Sequence, residues 1–322
     1  MSQEQRPDND ALPDGVIWTP EIESMVQWVA LLVRIDVPGA EVYGKMRIGK
    51  SFAAAYLRET LSSVVGYPVE VIAWEISENS EDRPREFLQA RMVESGYRAI
   101  SPRDVEVLKD RFFPFLVQRC AAKGTRRLIV VIDEAQNLTR RQFGYLVGYF
   151  NKLTTAGLKP FFLLIGQPEL GSPIDLNGVG RDMQIVGRFR VNQHHFRGVA
   201  LERIEDVLKQ FDCSGPDGGP PESMTSFLPQ AYSNGWRIVD LAPALREGVL
   251  LVKQKHNVSD EIRLPMQFVR STISAYIHRL AHSDLNPAHA SAAVMIDCMQ
   301  ECGFLNVFSY YAEPVSNEGG KQ

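Results

Sequence analysis

The most informative segment of the sequence is Gly44-Lys45-Met46-Arg47-Ile48-Gly49-Lys50-Ser51. A glycine, four further residues, a glycine, a lysine and a serine form the spacing of a loop that wraps phosphate groups. The loop follows a strand pattern at residues 40–43 and precedes a helix pattern at residues 51–65, which is the context that such a loop needs. The sequence therefore predicts a nucleotide site, with ATP and Mg²⁺ as cofactors.

Each residue type in the loop has a chemical reason. Glycines let the backbone approach phosphate, and amides at the start of a helix donate hydrogen bonds to it. We expect Lys50 to reach the β- and γ-phosphates and Ser51 to bind Mg²⁺. The residues predicted to bind the nucleotide are Gly44, Lys45, Met46, Arg47, Ile48, Gly49, Lys50, Ser51 and Phe52.

Two carboxylates follow a second strand pattern. Residues 128–132 are an unbroken apolar run, and Asp133 and Glu134 come directly after it. Such a pair after a strand is by itself as well explained by an ordinary helix cap. Combined with the phosphate loop, it predicts that Asp133 holds Mg²⁺ and that Glu134 orients and deprotonates an attacking water.

Three further side chains are candidates for the same chemistry. Gln167 follows the apolar strand at residues 161–165, and it either positions the water or merely opens a loop. Arg188 is the first choice for an arginine that reaches a neighbouring subunit's γ-phosphate, with Arg181 behind it. Arg237 is predicted in the first turn of a helix, where it would sense the γ-phosphate.

Strand and helix patterns alternate around these motifs, which predicts an α/β fold with a mostly parallel sheet flanked by helices. A helical stretch from Pro102 to Lys123 is expected to break near Pro114. Beyond a linker at residues 214–221, the patterns predict a small C-terminal helical module. The expected organisation is a flexible arm at 1–18, an α/β core at 19–212, a helical lid and extension at 213–312 and a flexible tail at 313–322.

Composition excludes several classes of protein. The chain has 322 residues, a formal net charge of −4 and four cysteines, which argues against a collagenous, disordered or disulfide-framework protein. No apolar run is long enough for a membrane span, and the first residues lack the pattern of a signal peptide. We therefore expect a cytoplasmic protein that does not engage a membrane.

The segments GKMRIGKS, LIVVIDEAQNL, LLIGQPEL, GRFRV and GWRIVDL, in this order, resemble an AAA+ ATPase over residues 20 to 255. The resemblance implies a P-loop AAA+ fold and a homo-oligomer, either a ring or a helical filament, with ATP at the subunit interfaces. It places Lys50 and Ser51 in Walker A, Asp133 and Glu134 in Walker B, and gives Gln167, Arg188 and Arg237 the roles stated above. A glutamine at the position of Gln167 departs from the commoner asparagine or threonine.

Within that family, the DEAQNL and IGQPEL segments are similar to transposition regulators of the TnsC and TniB type, including those of CRISPR-associated transposons. This resemblance implies assembly on double-stranded DNA without sequence preference and links to a TniQ-type target-selection protein and a transposase. Secretion ATPases of the ExeA type are the alternative, although they usually add a membrane span and a peptidoglycan-binding region. A third interpretation is a switch that binds ATP and hardly hydrolyses it.

If DNA threads the assembly, basic residues between the two Walker motifs are expected to hold phosphates without reading bases. An oligomer that lines a channel with such residues binds DNA despite a negative net charge, because the field is local. The available residues are Arg83, Arg85, Arg103, Lys109, Arg111, Arg119 and Lys123.

Overall fold

The computed structural model describes residues 17–78, 82–98, 104–171, 184–213, 219, 225, 228–281 and 290–313. Most of the predicted arm, linker and tail lies outside the described residues, as do Arg103 and Arg181. The chain forms two compact units. The sheet unit comprises Ser24–Gly44 and Lys50–Phe196, and the C-terminal unit comprises Met1–Glu23, Lys45–Gly49 and Arg197–Gln322. The predicted division at residue 212 stays a prediction.

The sheet unit is built on five parallel strands in the order β2-β3-β4-β1-β5. The strands are β1 (Gly39–Tyr43), β2 (Glu70–Glu75), β3 (Arg127–Asp133), β4 (Lys159–Gly166) and β5 (Gln193–His195). Strands β3 and β4 are buried almost throughout, which is typical of parallel strands covered on both faces. The predicted α/β class and mostly parallel sheet are confirmed.

Helices in the order expected from the sequence accompany these strands. They are α1 (Pro20–Arg34), α2 (Lys50–Val65), α3 (Pro84–Glu94), α4 (Val105–Ala122) and α5 (Arg140–Thr155). Helices α3, α4 and α5 share one hydrophobic core with a face of the sheet, where Trp74 meets Phe162 edge to face. Thr19 caps α1, because its Oγ1 accepts a hydrogen bond from the N–H of Ile22 over 3.2 Å.

The expected break near Pro114 is wrong, since α4 continues through it. Proline removes one backbone donor and frees the carbonyl of Asp110 four residues earlier. Pro114 and Asp110 both lie on the exposed face, where water can satisfy that carbonyl. Phe113 and Leu116 on the other face are buried in the core and keep the helix intact.

The C-terminal unit is mainly helical, as predicted, and also contains three short antiparallel strands that the sequence patterns did not predict. The helices are α6 (Ile204–Phe211), α7 (Pro229–Ser233), α8 (Ala242–Lys255), α9 (Met266–Ala281) and α10 (Ala292–Glu301). The strands are β6 (Val199–Ala200), β7 (Glu261–Leu264) and β8 (Ala312–Glu313), in the order β6-β7-β8. In strands of two to four residues an alternation is too short to stand out from the surrounding sequence.

Candidate functional site

Three polar segments meet at the carboxyl edge of the sheet, where β3, β4 and β1 lie side by side. Tyr43 at the end of β1 is paired with Gly166 at the end of β4. The N–H of Gly44, the first residue of the phosphate loop, donates to the carbonyl of Gly166 over 3.2 Å. Strand β3 ends beside β4 at Asp133. This edge is where open parallel sheets bind ligands.

Lys50 is held at this edge as the first residue of α2. Its side chain is 8% exposed, and its Nζ donates to the carbonyl of Gly44 over 2.7 Å. Burial lowers the pKa of Lys50, whereas the nearby charges of Glu134, Asp133 and Glu169 raise it. A partly desolvated ammonium at the N-terminus of a 16-residue helix favours an anion. The residues therefore fit a phosphate-bearing ligand.

The backbone between Lys45 and Gly49 is fixed by contacts within the C-terminal unit. Arg47 and Gly49 have φ angles of 62° and 111°, and the left-handed region costs a non-glycine residue about 1 kcal/mol. The hydroxyl of Tyr311 donates to the carbonyl of Met46 over 3.1 Å, and the N–H of Gln267 donates to that of Arg47 over 3.3 Å. These bonds hold the loop backbone in its strained conformation.

The side chain of Lys45 takes part in the same contacts. Its Nζ donates to the carbonyl of Ala312 over 2.9 Å and lies 3.9 Å from the carboxylate of Glu313. Burial lowers the pKa of Lys45, and the charge of Glu313 raises it. Sequence reasoning missed Tyr311 and Gln267 because more than 200 residues separate them from the loop, and no local pattern records such a contact.

Asp133 and Glu134 have the geometry of a constrained turn. Oδ1 of Asp133 accepts a hydrogen bond from the N–H of Glu134 over 2.9 Å, and Glu134 has a left-handed backbone with φ 52° and ψ 37°. Strain of this kind in a non-glycine residue clusters at functional sites. The carboxylate of Asp133 and the hydroxyl of Ser51, in the first turn of α2, are the hard oxygen ligands that suit Mg²⁺.

Gln167 directly follows β4, which lies between β3 and β1 in the sheet. Its backbone N–H donates over 3.0 Å to the side chain of Gln136, which in turn donates to the carboxylate of Glu134. Sequence reasoning missed Gln136 although it stands two residues after Glu134. A polar residue in a turn after a strand carries no signal of its own.

Arg188 and Arg190 lie in different environments. The Nη2 of Arg188, a partly exposed residue, lies 3.4 Å from Oδ1 of Asn151. Arg190 instead forms a 2.8 Å ion pair with the fully buried carboxylate of Glu41. Arg190 thus stabilises the fold through this ion pair. Arg188 remains the candidate for contact with a neighbouring subunit.

Arg237 lies in the C-terminal unit, in extended backbone just before a 3₁₀ turn (Ile238–Leu241) that leads into α8. The prediction that it belongs to the first helical turn is off by one residue. Its Nη1 donates to the carbonyls of Tyr232 and Trp236 over 3.0 and 2.7 Å, and its N–H donates to Asp240. These bonds fix its position within this unit, and its sensing role stays a prediction.

Several of the basic residues proposed for DNA are engaged in ion pairs. Lys109 pairs with Glu106, and Arg119 and Lys123 both pair with the buried carboxylate of Glu70. Arg85 is partly buried, while Arg83 before α3 and Arg111 on α4 are exposed. Because they are exposed, Arg83 and Arg111 are the better candidates for contact with phosphates.

Membrane-spanning helices and clustered metal ligands are both absent from the described part of the chain. None of the helices within the described ranges combines the length and apolarity needed to cross a bilayer. Across those same ranges, His, Cys, Asp and Glu side chains nowhere gather in threes around a possible metal position.

A family model described as an AAA domain matches residues 40–172. This segment is similar to AAA domains. It contains the phosphate loop, the carboxylates after β3 and Gln167, and together with the parallel sheet it establishes the P-loop AAA+ fold. Arg188 and Arg237 lie beyond the matched residues. No curated protein matches the chain closely enough to count as a relative.

The solved structures that match the chain have low sequence identity and TM-scores below 0.5. The Aeropyrum pernix ORC1 protein in complex with DNA is 13% identical, with 92% of this chain and 87% of that chain covered and a TM-score of 0.44. Drosophila ORC bound to DNA is 14% identical, with 94% and 70% covered and a TM-score of 0.46. The E. coli MS115-1 HORMA:CdnC:Trip13 complex is 10% identical, with 92% and 97% covered and a TM-score of 0.46. Likenesses at this level decide nothing about what this chain binds.

Proposed function

We propose that this AAA+ protein is a Mg²⁺-dependent ATPase that oligomerises on double-stranded target DNA and links a TniQ-type target-selection protein to a transposase. The observation that carries the ATPase part is the meeting of Lys50, Asp133, Glu134 and Gln167 at one edge of the sheet. The transposition part rests on the DEAQNL and IGQPEL segments that supply three of those residues.

The residues at this edge divide the work of phosphoryl transfer. Lys50 and the loop amides bind the phosphates, and Ser51 and Asp133 hold Mg²⁺, which neutralises charge on the phosphate oxygens. Glu134 takes the proton of a water whose oxygen forms the new bond to the γ-phosphorus. The bond to the β-phosphate oxygen then breaks, and ADP and phosphate leave. Gln167 helps to orient the water.

A neighbouring subunit completes the site in this proposal. Arg188 is a partly exposed residue of the sheet unit, and an arginine supplied in trans stabilises charge that builds up on the transferring group. Arg237 would report on the γ-phosphate from the C-terminal unit. The assembly, a ring or a helical filament, would therefore form with ATP and come apart after hydrolysis in the cytoplasm.

Binding to long double-stranded DNA tests the DNA part of the proposal. The purified protein is titrated with a slowly hydrolysed ATP analogue, with ADP or without nucleotide, at two salt concentrations. We expect binding that needs the triphosphate, ignores sequence and weakens as salt rises, because phosphate contacts release counterions. Lys50→Ala is expected to abolish it.

Charge-reversal variants locate the DNA contacts. Arg83→Glu and Arg111→Glu are expected to weaken binding on all sequences alike and to flatten its salt dependence. Lys159→Glu is the matched control, since Lys159 is an exposed lysine at the opposite, amino end of β4. Absence of DNA binding in every nucleotide state would contradict the proposal and favour the ExeA-like alternative, an ATPase that acts on protein partners.

A further inference from the structure

The side chain of Gln136 connects the end of β4 to the carboxylate after β3. It lies in a 3₁₀ turn (Ala135–Asn137) that directly follows Glu134. Its Oε1 accepts a hydrogen bond from the N–H of Gln167 over 3.0 Å, and its Nε2 donates to the carboxylate of Glu134. One side chain thus contacts two of the segments that form the proposed catalytic edge.

Chemistry fixes which way the amide of Gln136 faces. The backbone N–H of Gln167 can only donate, so the oxygen of the amide must face it. The carboxylate of Glu134 can only accept when ionised, so the NH₂ group faces the carboxylate. A flipped amide would lose both hydrogen bonds, and the bridge therefore has a single arrangement.

Gly166, which has no Cβ, leaves the space that the side chain of Gln136 occupies. A Cβ on Gly166 would lie 2.5 Å from Oε1 of Gln136 and 3.2 Å from its backbone nitrogen. Since Cβ atoms do not approach so closely, any side chain at position 166 would push Gln136 aside. Gly166 also accepts the hydrogen bond from Gly44, so the same residue adjoins the phosphate loop.

We propose that Gln136 is a positioning residue for ATP hydrolysis, holding the carboxylate of Glu134 in the orientation that receives the proton of the attacking water. Glu134 has several rotatable side-chain bonds, and a hydrogen bond to its carboxylate restricts them. The bond to Gln167 places that carboxylate relative to the residue expected to orient the water. The inference rests on the proposed ATPase activity and adds a residue to it.

Removing the bridge should slow turnover and leave binding intact. In Gln136→Ala, kcat is expected to fall about 10- to 100-fold, because a misplaced general base loses most of its advantage. KM and the affinity for a slowly hydrolysed ATP analogue are expected to stay within about twofold, since Lys50 and the loop amides remain in place. A residue with a merely structural role would not separate kcat from KM in this way.

Two further variants sharpen the test. Gln136→Glu keeps an oxygen for the N–H of Gln167 but has no NH₂ group for Glu134, so its kcat is expected to fall as far as that of Gln136→Ala. Gly166→Ala displaces the intact Gln136 and is expected to lower kcat in the same way. Asn137→Ala is the matched control, because Asn137 lies in the same turn but donates to the carbonyl of Ile76 over 2.9 Å.

The outcomes are distinct. A low kcat in Gln136→Ala and Gln136→Glu, with normal KM and a normal kcat in Asn137→Ala, supports the proposal. A wild-type kcat in Gln136→Glu overturns it, and so does an equal loss in Gln136→Ala and Asn137→Ala. Wild-type protein that releases no phosphate contradicts the ATPase proposal itself, and the inference with it. Hydrolysis by the wild type with no effect of Gln136 contradicts the inference alone.

Discussion

Replacement of Arg190 by leucine should destabilise the sheet unit much more than the same change at Arg188. Arg190 pairs with Glu41, whose side chain is fully buried, whereas that of Arg190 is 21% exposed. Breaking a buried ion pair typically costs about 3–5 kcal/mol. Gln193 still donates to Glu41 over 2.6 Å, so we expect a loss of about 3 kcal/mol, at the low end of that range.

The cost should depend on pH in a defined direction. Burial raises the pKa of Glu41, and Arg190 and Gln193 lower it. An acid whose pKa is raised on folding contributes stability below its unfolded pKa and loses that contribution as pH rises through the folded pKa. Removal of Arg190 raises the pKa of Glu41 further and extends this window upward. The deficit of Arg190→Leu should therefore be smaller at pH 5 than at pH 8.

Chemical denaturation at the two pH values measures both effects. Arg188→Leu is the control and should stay within about 0.5 kcal/mol of the wild type, since its hydrogen bonds are long and partly exposed. Glu41→Leu combined with Arg190→Leu should recover part of the loss, because no buried charge is left unpaired. Equal stability of Arg188→Leu and Arg190→Leu, or a deficit that is constant with pH, would contradict a stabilising ion pair between Arg190 and Glu41.

Three other predictions follow from single contacts. Tyr311→Phe removes the donor to the carbonyl of Met46, so the free energy of unfolding should fall by about 0.5–1.5 kcal/mol. The affinity for an ATP analogue should fall by up to about tenfold in fluorescence titrations. Unchanged affinity would argue against a role of this bond in shaping the loop. Burial raises the pKa of Cys120 and Cys298 to about 11. Neither thiol should therefore react with an aromatic disulfide reagent at pH 8 until the protein unfolds. Labelling of the native protein at all four cysteines would contradict this prediction. Gly39→Ala would place a Cβ 2.6 Å from a carbonyl oxygen of β4. The free energy of unfolding, measured by thermal denaturation, should fall by at least about 2 kcal/mol. Wild-type stability of this variant would show that the two strands can move apart there.

Local sequence patterns indicate the residues expected to act on the nucleotide. Lys50, Asp133 and Gln167 each stand at the end of an apolar strand pattern or in a glycine loop, so local sequence carries their signal. The parallel order of β3, β4 and β1 then brings them together, because parallel strands end at the same edge. The fold class and the expected residues of the candidate site follow from such local patterns.

The supporting residues were beyond reach because they act over long separations in the chain. Tyr311 and Met46 are 265 residues apart, and nothing in either segment indicates the other. The ion pair of Arg190 was beyond reach for the same reason, because its buried partner Glu41 lies 149 residues away in the chain. Pro114 was misjudged because its effect depends on which face of α4 it occupies, and that is set by tertiary packing.

Hydrolysis at this edge of the sheet is measured as phosphate release from ATP by the purified protein, with and without Mg²⁺ and with long double-stranded DNA present or absent. We expect Mg²⁺-dependent release by the wild type. We expect none from Lys50→Ala, which fails to bind nucleotide, and none from Glu134→Gln, which still binds it. Release that persists in Glu134→Gln, or wild-type protein that binds ATP but never hydrolyses it, would contradict the assignment of the edge of β3, β4 and β1 as a hydrolytic site.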